Sequence, residues 1–200
     1  MPGTPLTLDY HIRTVSPLGL ANTSGAFSGT AALTGSTLKG ATRQSGVAVM
    51  ALLGRPACRH DADPTCPLCR LFGAPGLDAA IRWGTATLDG GTMSRNEPYI
   101  VPRRSRVGRS TGTSPREPVS AGLAVPGGML FQARVQGWLA TSATADAALL
   151  VAALERLEYL GRGRTAGHGR VSVQVGAVRL AGEEWQSAEL LSTLLTQEAV

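Results

Sequence analysis

Lysine is almost missing from this chain: of its 19 basic residues, Lys39 alone is a lysine and the rest are arginines. Aromatic residues are as scarce, with three each of Phe, Trp and Tyr. No apolar run approaches the ~20 residues that a membrane span needs, so no membrane partner is expected. The opening residues 1–7 lack a basic segment followed by an apolar core, so no secretion signal is expected and a cytoplasmic location is. Cysteine is limited to three residues, and a 200-residue chain can bury a core without disulfide staples. Charged residues are only 16% against 43% hydrophobic, which excludes a mostly disordered chain. Acids are missing from whole stretches. Residues 10–60 contain none, residues 98–145 contain only Glu117, and residues 159–182 contain none. Arginines fill the same stretches, and the net charge is +5. Arginine forks bind phosphate in pairs, so this segregation predicts basic faces that attract a polyanion.

Apolar–polar alternation predicts strands at 6–15, 79–88, 129–138 and 171–180. Helical spacing predicts a helix over 36–53, capped by Ser36 or Thr37 and weakened by Gly46, and a second over 143–160 with Leu149, Leu150, Ala153, Leu154, Leu157 and Leu160 on its core stripe. A short amphipathic helix is expected over 183–197. The Gly-, Ser- and Thr-rich residues 18–35 read as a flexible loop, 54–76 as a Cys- and Pro-rich excursion, and 93–126 as a long basic segment. The order strand, helix, strand, strand, helix, strand predicts one α+β domain over 1–200 with a ferredoxin-like, split βαβ core.

Four segments carry chemistry. Cys58, His60, Cys66 and Cys69 follow the spacing C-x-H-x5-C-x2-C, which suits a closed tetrahedral zinc site of structural type; a redox-active CxxC is the alternative, disfavoured because no helix start is expected there. Gly35–Arg43 joins a small-residue turn to a helix, where free N–H groups, Lys39 and Arg43 suit phosphate, although an ordinary helix start has the same composition. Gly161–Arg170 interleaves four glycines with Arg162, Arg164, His168 and Arg170, and such a backbone can approach a ligand closely. Residues 102–116 hold Arg103, Arg104, Arg106, Arg109 and Arg116, as in a basic arm that orders on a polyanion.

In this order the segments resemble the RAMP superfamily of CRISPR effector proteins, most of all the repeated backbone subunit of type III (Csm/Cmr-like) complexes. Gly35–Arg43 is similar to the family's GSSLKGxxR helix start. Cys66–Gly73 is similar to its C-x-x-C-R-L-F-G segment, Val107–Thr113 with Val125–Phe131 to its pair of motifs around the thumb, and Gly161–Arg170 to its terminal Gly-rich loop. The resemblance implies an RRM-like βαββαβ core with a zinc-binding insertion at 54–76 and a thumb hairpin insertion at 93–128. It implies a subunit that lines up with copies of itself along guide RNA (crRNA), beside a target nucleic acid and other effector subunits. Ser36, Lys39 and Arg43 would then touch guide phosphates, the Gly-rich loop would pass close to the same strand, and Arg103–Arg116 would belong to the thumb. Nine aromatic residues leave no stacking platform of the ordinary RRM kind.

One departure bears on activity. Target-cutting members carry an Asp in the loop after the first strand, and residues 18–35 here contain neither Asp nor Glu. A hard divalent cation needs an anionic oxygen, so a binding subunit with no catalytic residue is expected; Asp9 lies too early in the chain to substitute. Three other readings stay open. They are a guide 5′-end capping subunit, a repeat-processing endoribonuclease of the same superfamily using His11 or His168 as base, and a zinc-stabilised RNA-binding module unrelated to CRISPR.

Overall fold

A computed structural model describes residues 3–19, 32–55, 66–89, 124–140, 142–161, 164 and 167–196. Strand β1 (Thr4–Thr14) places Leu6, Leu8, Tyr10 and Ile12 on one face, all buried, as its alternation predicts. It is flanked by β7 (Leu130–Leu139) and β8 (Val171–Leu180), both antiparallel to it. A bulge opposite Asp9 shifts the β1–β8 register. Beyond β7 lie β4 (Ile81–Trp83), β5 (Ala86–Leu88) and β3 (Ala32–Leu33), and beyond β8 lies β9 (Glu183–Trp185). A two-stranded ladder joins β2 (Leu18–Gly19) to β6 (Ala124–Val125). The chain is therefore mixed α+β. Its central order, β4/β5, β7, β1, β8, with every neighbouring pair antiparallel, is that of a split βαβ core.

Helices cover the face that carries Leu6 to Ile12. They are α1 (Gly35–Leu52), α2 (Pro67–Phe72), α3 (Ala143–Glu155) and α4 (Ser187–Thr196). Helix α3 is the centre of this layer, with Ala147, Ala148, Leu149, Leu150, Val151 and Leu154 buried. Gly46 lets α1 pass close to α2, since a Cβ there would come within 2.8 Å of Leu68 Cδ2 and push that side chain aside. The opposite face of the sheet carries Thr7, Asp9, His11 and Arg13 from β1, and Gln132, Arg134 and Gln136 from β7. No helix among the described residues covers it, and the three β7 side chains are exposed. No described helix is long and apolar enough to cross a membrane.

Several expectations are corrected. The cap of α1 is Thr34, whose hydroxyl accepts from the Thr37 amide, in place of Ser36 or Thr37. The strand expected at 79–88 is two short strands separated at Gly84 and Thr85. Helix α3 stops at Glu155; Leu157 and Leu160 continue the buried stripe without helical backbone. Two short strands, β2 and β3, lie within the loop expected over 18–35, whose residues 20–31 are outside the described residues, and the helix expected over 183–197 begins only after β9. Within the 54–76 excursion, Pro67–Phe72 is a core helix with Leu68, Cys69, Leu71 and Phe72 buried, and Cys66 is its N-cap. Residues 56–65 of that excursion and 93–123 of the expected thumb lie outside the described residues.

Candidate nucleic-acid interface

Three chain segments meet at the end of the sheet where β1 finishes and β7 and β8 begin. Thr14, the last residue of β1, is buried and acts as the clasp. Its hydroxyl donates to the Pro126 carbonyl at 2.8 Å and accepts from the Met129 amide at 2.9 Å. Its carbonyl accepts from the Gly128 amide. The turn over 126–129 is thus fixed to the first strand.

The Gly-rich loop is tied to the same place. The Arg170 carbonyl accepts from the Val15 amide at 2.8 Å, and the Arg170 amide donates to Ser16 Oγ at 2.9 Å. The Gly169 amide donates to the Pro17 carbonyl, and the Gly169 carbonyl accepts from the Leu160 amide, both at 2.8 Å. Gly169 has φ +78°, and a Cβ on it would collide with the Leu160 carbonyl, so only glycine fits this crossing. A bridge pairs Tyr159 with Arg170.

The resulting edge exposes Arg164 and Arg170, with His168 half-buried beside them. Val15 and Tyr159, to which no motif in the sequence points, are exposed at 52% and 39%. The one signal for Tyr159 is its place just after the buried stripe of α3. Arg162 lies outside the described residues, as do Arg103, Arg104, Arg106, Arg109 and Arg116.

The α1 start is a separate cluster. Thr34, Ser36 and Thr37 share hydroxyl contacts of 3.1 and 2.9 Å, Ser36 is exposed and Lys39 half-buried. Gly35 packs on the Trp83 backbone, which puts this helix start on the β4 side of the sheet, away from the β1–β8 side that holds the Gly-rich loop. Arg43 turns inward: its Nη1 donates to the Gly73 carbonyl at 2.7 Å, at the C-terminus of α2. That contact suits a cation at a helix end.

Arg70, read only as part of a motif, proves structural. Its Nη2 donates to Asp146 Oδ1 at 2.7 Å and its Nε to Oδ2 at 3.2 Å. Asp146 is 2% exposed in the first turn of α3, so this forked pair ties α2 to α3 within the core. On the open sheet face Arg134 grips Asp9 in the same manner, at 2.6 and 3.0 Å. The hydrogen bond and then the charge of Asp9 raise the Arg134 pKa above its ordinary value.

Of the expected zinc ligands, Cys66 and Cys69 are both buried, Cys66 at the start of α2 and Cys69 within it. Cys58 and His60 lie outside the described residues. Among the described residues no group of three or more His, Cys, Asp or Glu side chains converges.

No family model matches the chain, and no curated protein matches its sequence. Solved structures do match, among them the crystal structure of Thermofilum pendens Csc2, with a TM-score of 0.58 and 15% identity over all of this chain and 78% of that one. At that identity the likeness concerns architecture alone: the chain shares the α+β fold of that structure.

Proposed function

We propose that this protein is a non-catalytic backbone subunit of a CRISPR ribonucleoprotein effector complex, holding guide RNA by its sugar-phosphate chain and helping the target strand to pair. The observation that carries the reading is the junction of the 126–129 turn with the Gly-rich loop, on a RAMP-like fold. There the exposed Arg164 and Arg170 lie beside the glycine-rich backbone of residues 167–169. Guanidinium forks bind phosphate without reading sequence, and a glycine-rich backbone lets a strand come close to them, as a guide-carrying subunit requires. Ser36 and Lys39 at the α1 start add a second point of contact for the same strand. The basic segment Arg103–Arg116 is assigned to the thumb. Cys58, His60, Cys66 and Cys69 are assigned to a structural zinc ion.

Binding without cutting follows from residues 18–35, which offer no carboxylate to a divalent cation. Fluorescence anisotropy with labelled single-stranded RNA over a series of salt concentrations tests the proposal. The variant Lys39→Ala with Arg164→Ala and Arg170→Ala should bind more weakly, and its log–log salt slope should fall by about 0.7 for each phosphate it no longer neutralises. A wild-type protein that ignores RNA, or one that cleaves it in magnesium, contradicts the proposal.

A further inference from the structure

The face of the sheet turned away from the helices is chemically organised. Register places Arg82, Gln136, Thr7 and Arg179 side by side across four strands. The next row toward the N-terminus of β1 pairs Pro5 with Trp138. The row at the far end sets Arg13 beside Leu130 and Ser172. Three acids lie on this face or at its edge. Asp9 is held by Arg134, and Glu184 lies opposite Arg179 at the β9 edge. The third, Asp89, follows Thr87 by two residues, and its amide donates to the Leu130 carbonyl. Arg13 and Arg82 have no acidic partner among the described residues. Trp138 is 63% exposed, although a tryptophan ordinarily seeks cover. An open groove of about 590 Å³ runs between it and Arg82, lined by Pro5, Thr7, Ala80 and Gln136.

We propose that this groove is a second binding track for single-stranded nucleic acid, with the Trp138 indole under a base and the Arg82 guanidinium on the adjoining phosphate. The inference rests on the RNA-binding reading above and adds a surface that none of the sequence motifs touches. The two side chains lie on the diagonal of neighbouring strands, about 7–8 Å apart at the backbone, a separation that lets one take the base and the other its phosphate. Stacking on an indole accepts any base, and the Gln136 amide can both donate and accept at a base edge or a sugar hydroxyl.

Charge complementarity selects this occupant. The arginines without acidic partners lie toward opposite ends of the face, as a polyanion crossing it would require. A second copy of the chain fits less well. Trp138 is the one large apolar side chain exposed on the face among the described residues, whereas a stable protein interface takes about 800 Å² from each partner around an apolar centre.

The test compares the full-length protein with Trp138→Ala and Arg82→Ala against two fluorescent probes, a mixed-sequence single-stranded RNA and an inorganic polyphosphate of matched charge. Both residues are exposed, so the variants should melt like the wild type, and thermal melting checks this. Trp138→Ala should weaken RNA binding by roughly tenfold and leave polyphosphate binding unchanged. Arg82→Ala should weaken both and lower the RNA salt slope by about 0.7. RNA carrying a photoreactive uridine should cross-link to the peptide containing Trp138. Folded variants that bind RNA as the wild type does, with cross-links elsewhere, overturn the second track while leaving the Gly-rich junction intact. Sedimentation showing Trp138→Ala to abolish self-association, with RNA affinity unchanged, overturns it in favour of a second copy. A wild type that binds no RNA removes this inference together with the reading beneath it.

Discussion

Asp146 is a carboxylate with almost no contact with water, and it is tolerable there because Arg70 donates to both of its oxygens. Removing one member of such a pair strands the other. Arg70→Ala should therefore cost about 3 kcal/mol in urea denaturation, whereas Arg70→Met combined with Asp146→Leu should stay within about 1 kcal/mol of the wild type. Equal losses in both would show that packing, and not charge, holds α2 to α3. Tyr10 shows the reverse situation. Its hydroxyl is buried with no partner among the described residues, and burial raises its pKa. The unfolded chain then ionises this phenol first. Stability is intact below about pH 10, the ordinary tyrosine value, and falls as pH climbs from there toward the higher folded value. Tyr10→Phe should match or exceed wild-type stability at neutral pH and lose less above about pH 10, as alkaline unfolding curves would record. Neither residue could be assigned this way from sequence. Arg70 and Asp146 are 76 positions apart, and the hydrogen bond from Arg43 to the Gly73 carbonyl joins residues 30 positions apart.

Elements are more legible than side chains because periodicity is a local signal. β1, β7 and β8 lie within a residue or two of the alternation that predicts them. Apolar spacing overruns the end of α3 because Leu157 and Leu160 stay buried after the helix stops, and such spacing reports burial, not backbone shape. Residue type misleads in the other direction at α2. Proline, glycine and cysteine around 66–73 give the appearance of a loop, yet Leu68, Leu71 and Phe72 dock in the core. Cys66 caps this helix and Cys69 sits within it, so a metal held with Cys58 and His60 would bind the excursion to the core. Purified protein should contain about one zinc per chain, and Cys66→Ser should release it and lower the melting temperature. A folded wild type with no zinc by elemental analysis would rule out the metal.

For the whole molecule, the fold sets the glycine-rich and basic features in three separate regions. The Gly-rich junction lies at the end of the sheet where β1 finishes. The α1 start lies beside β4, and the open sheet face is turned away from the helices. A solitary binding module needs one such region. A subunit set beside copies of itself on a continuous strand can use several, because the strand leaves each copy and enters the next. Architecture and basic character are readable from composition and pattern. The division into regions is not, because it depends on how distant strands pair. The central claim is that copies of this chain line up along one nucleic-acid strand, and analytical ultracentrifugation with single-stranded RNAs of increasing length tests it most directly. The number of protein copies per RNA should rise in steps with RNA length, whereas one copy at every length, or none, would contradict the claim.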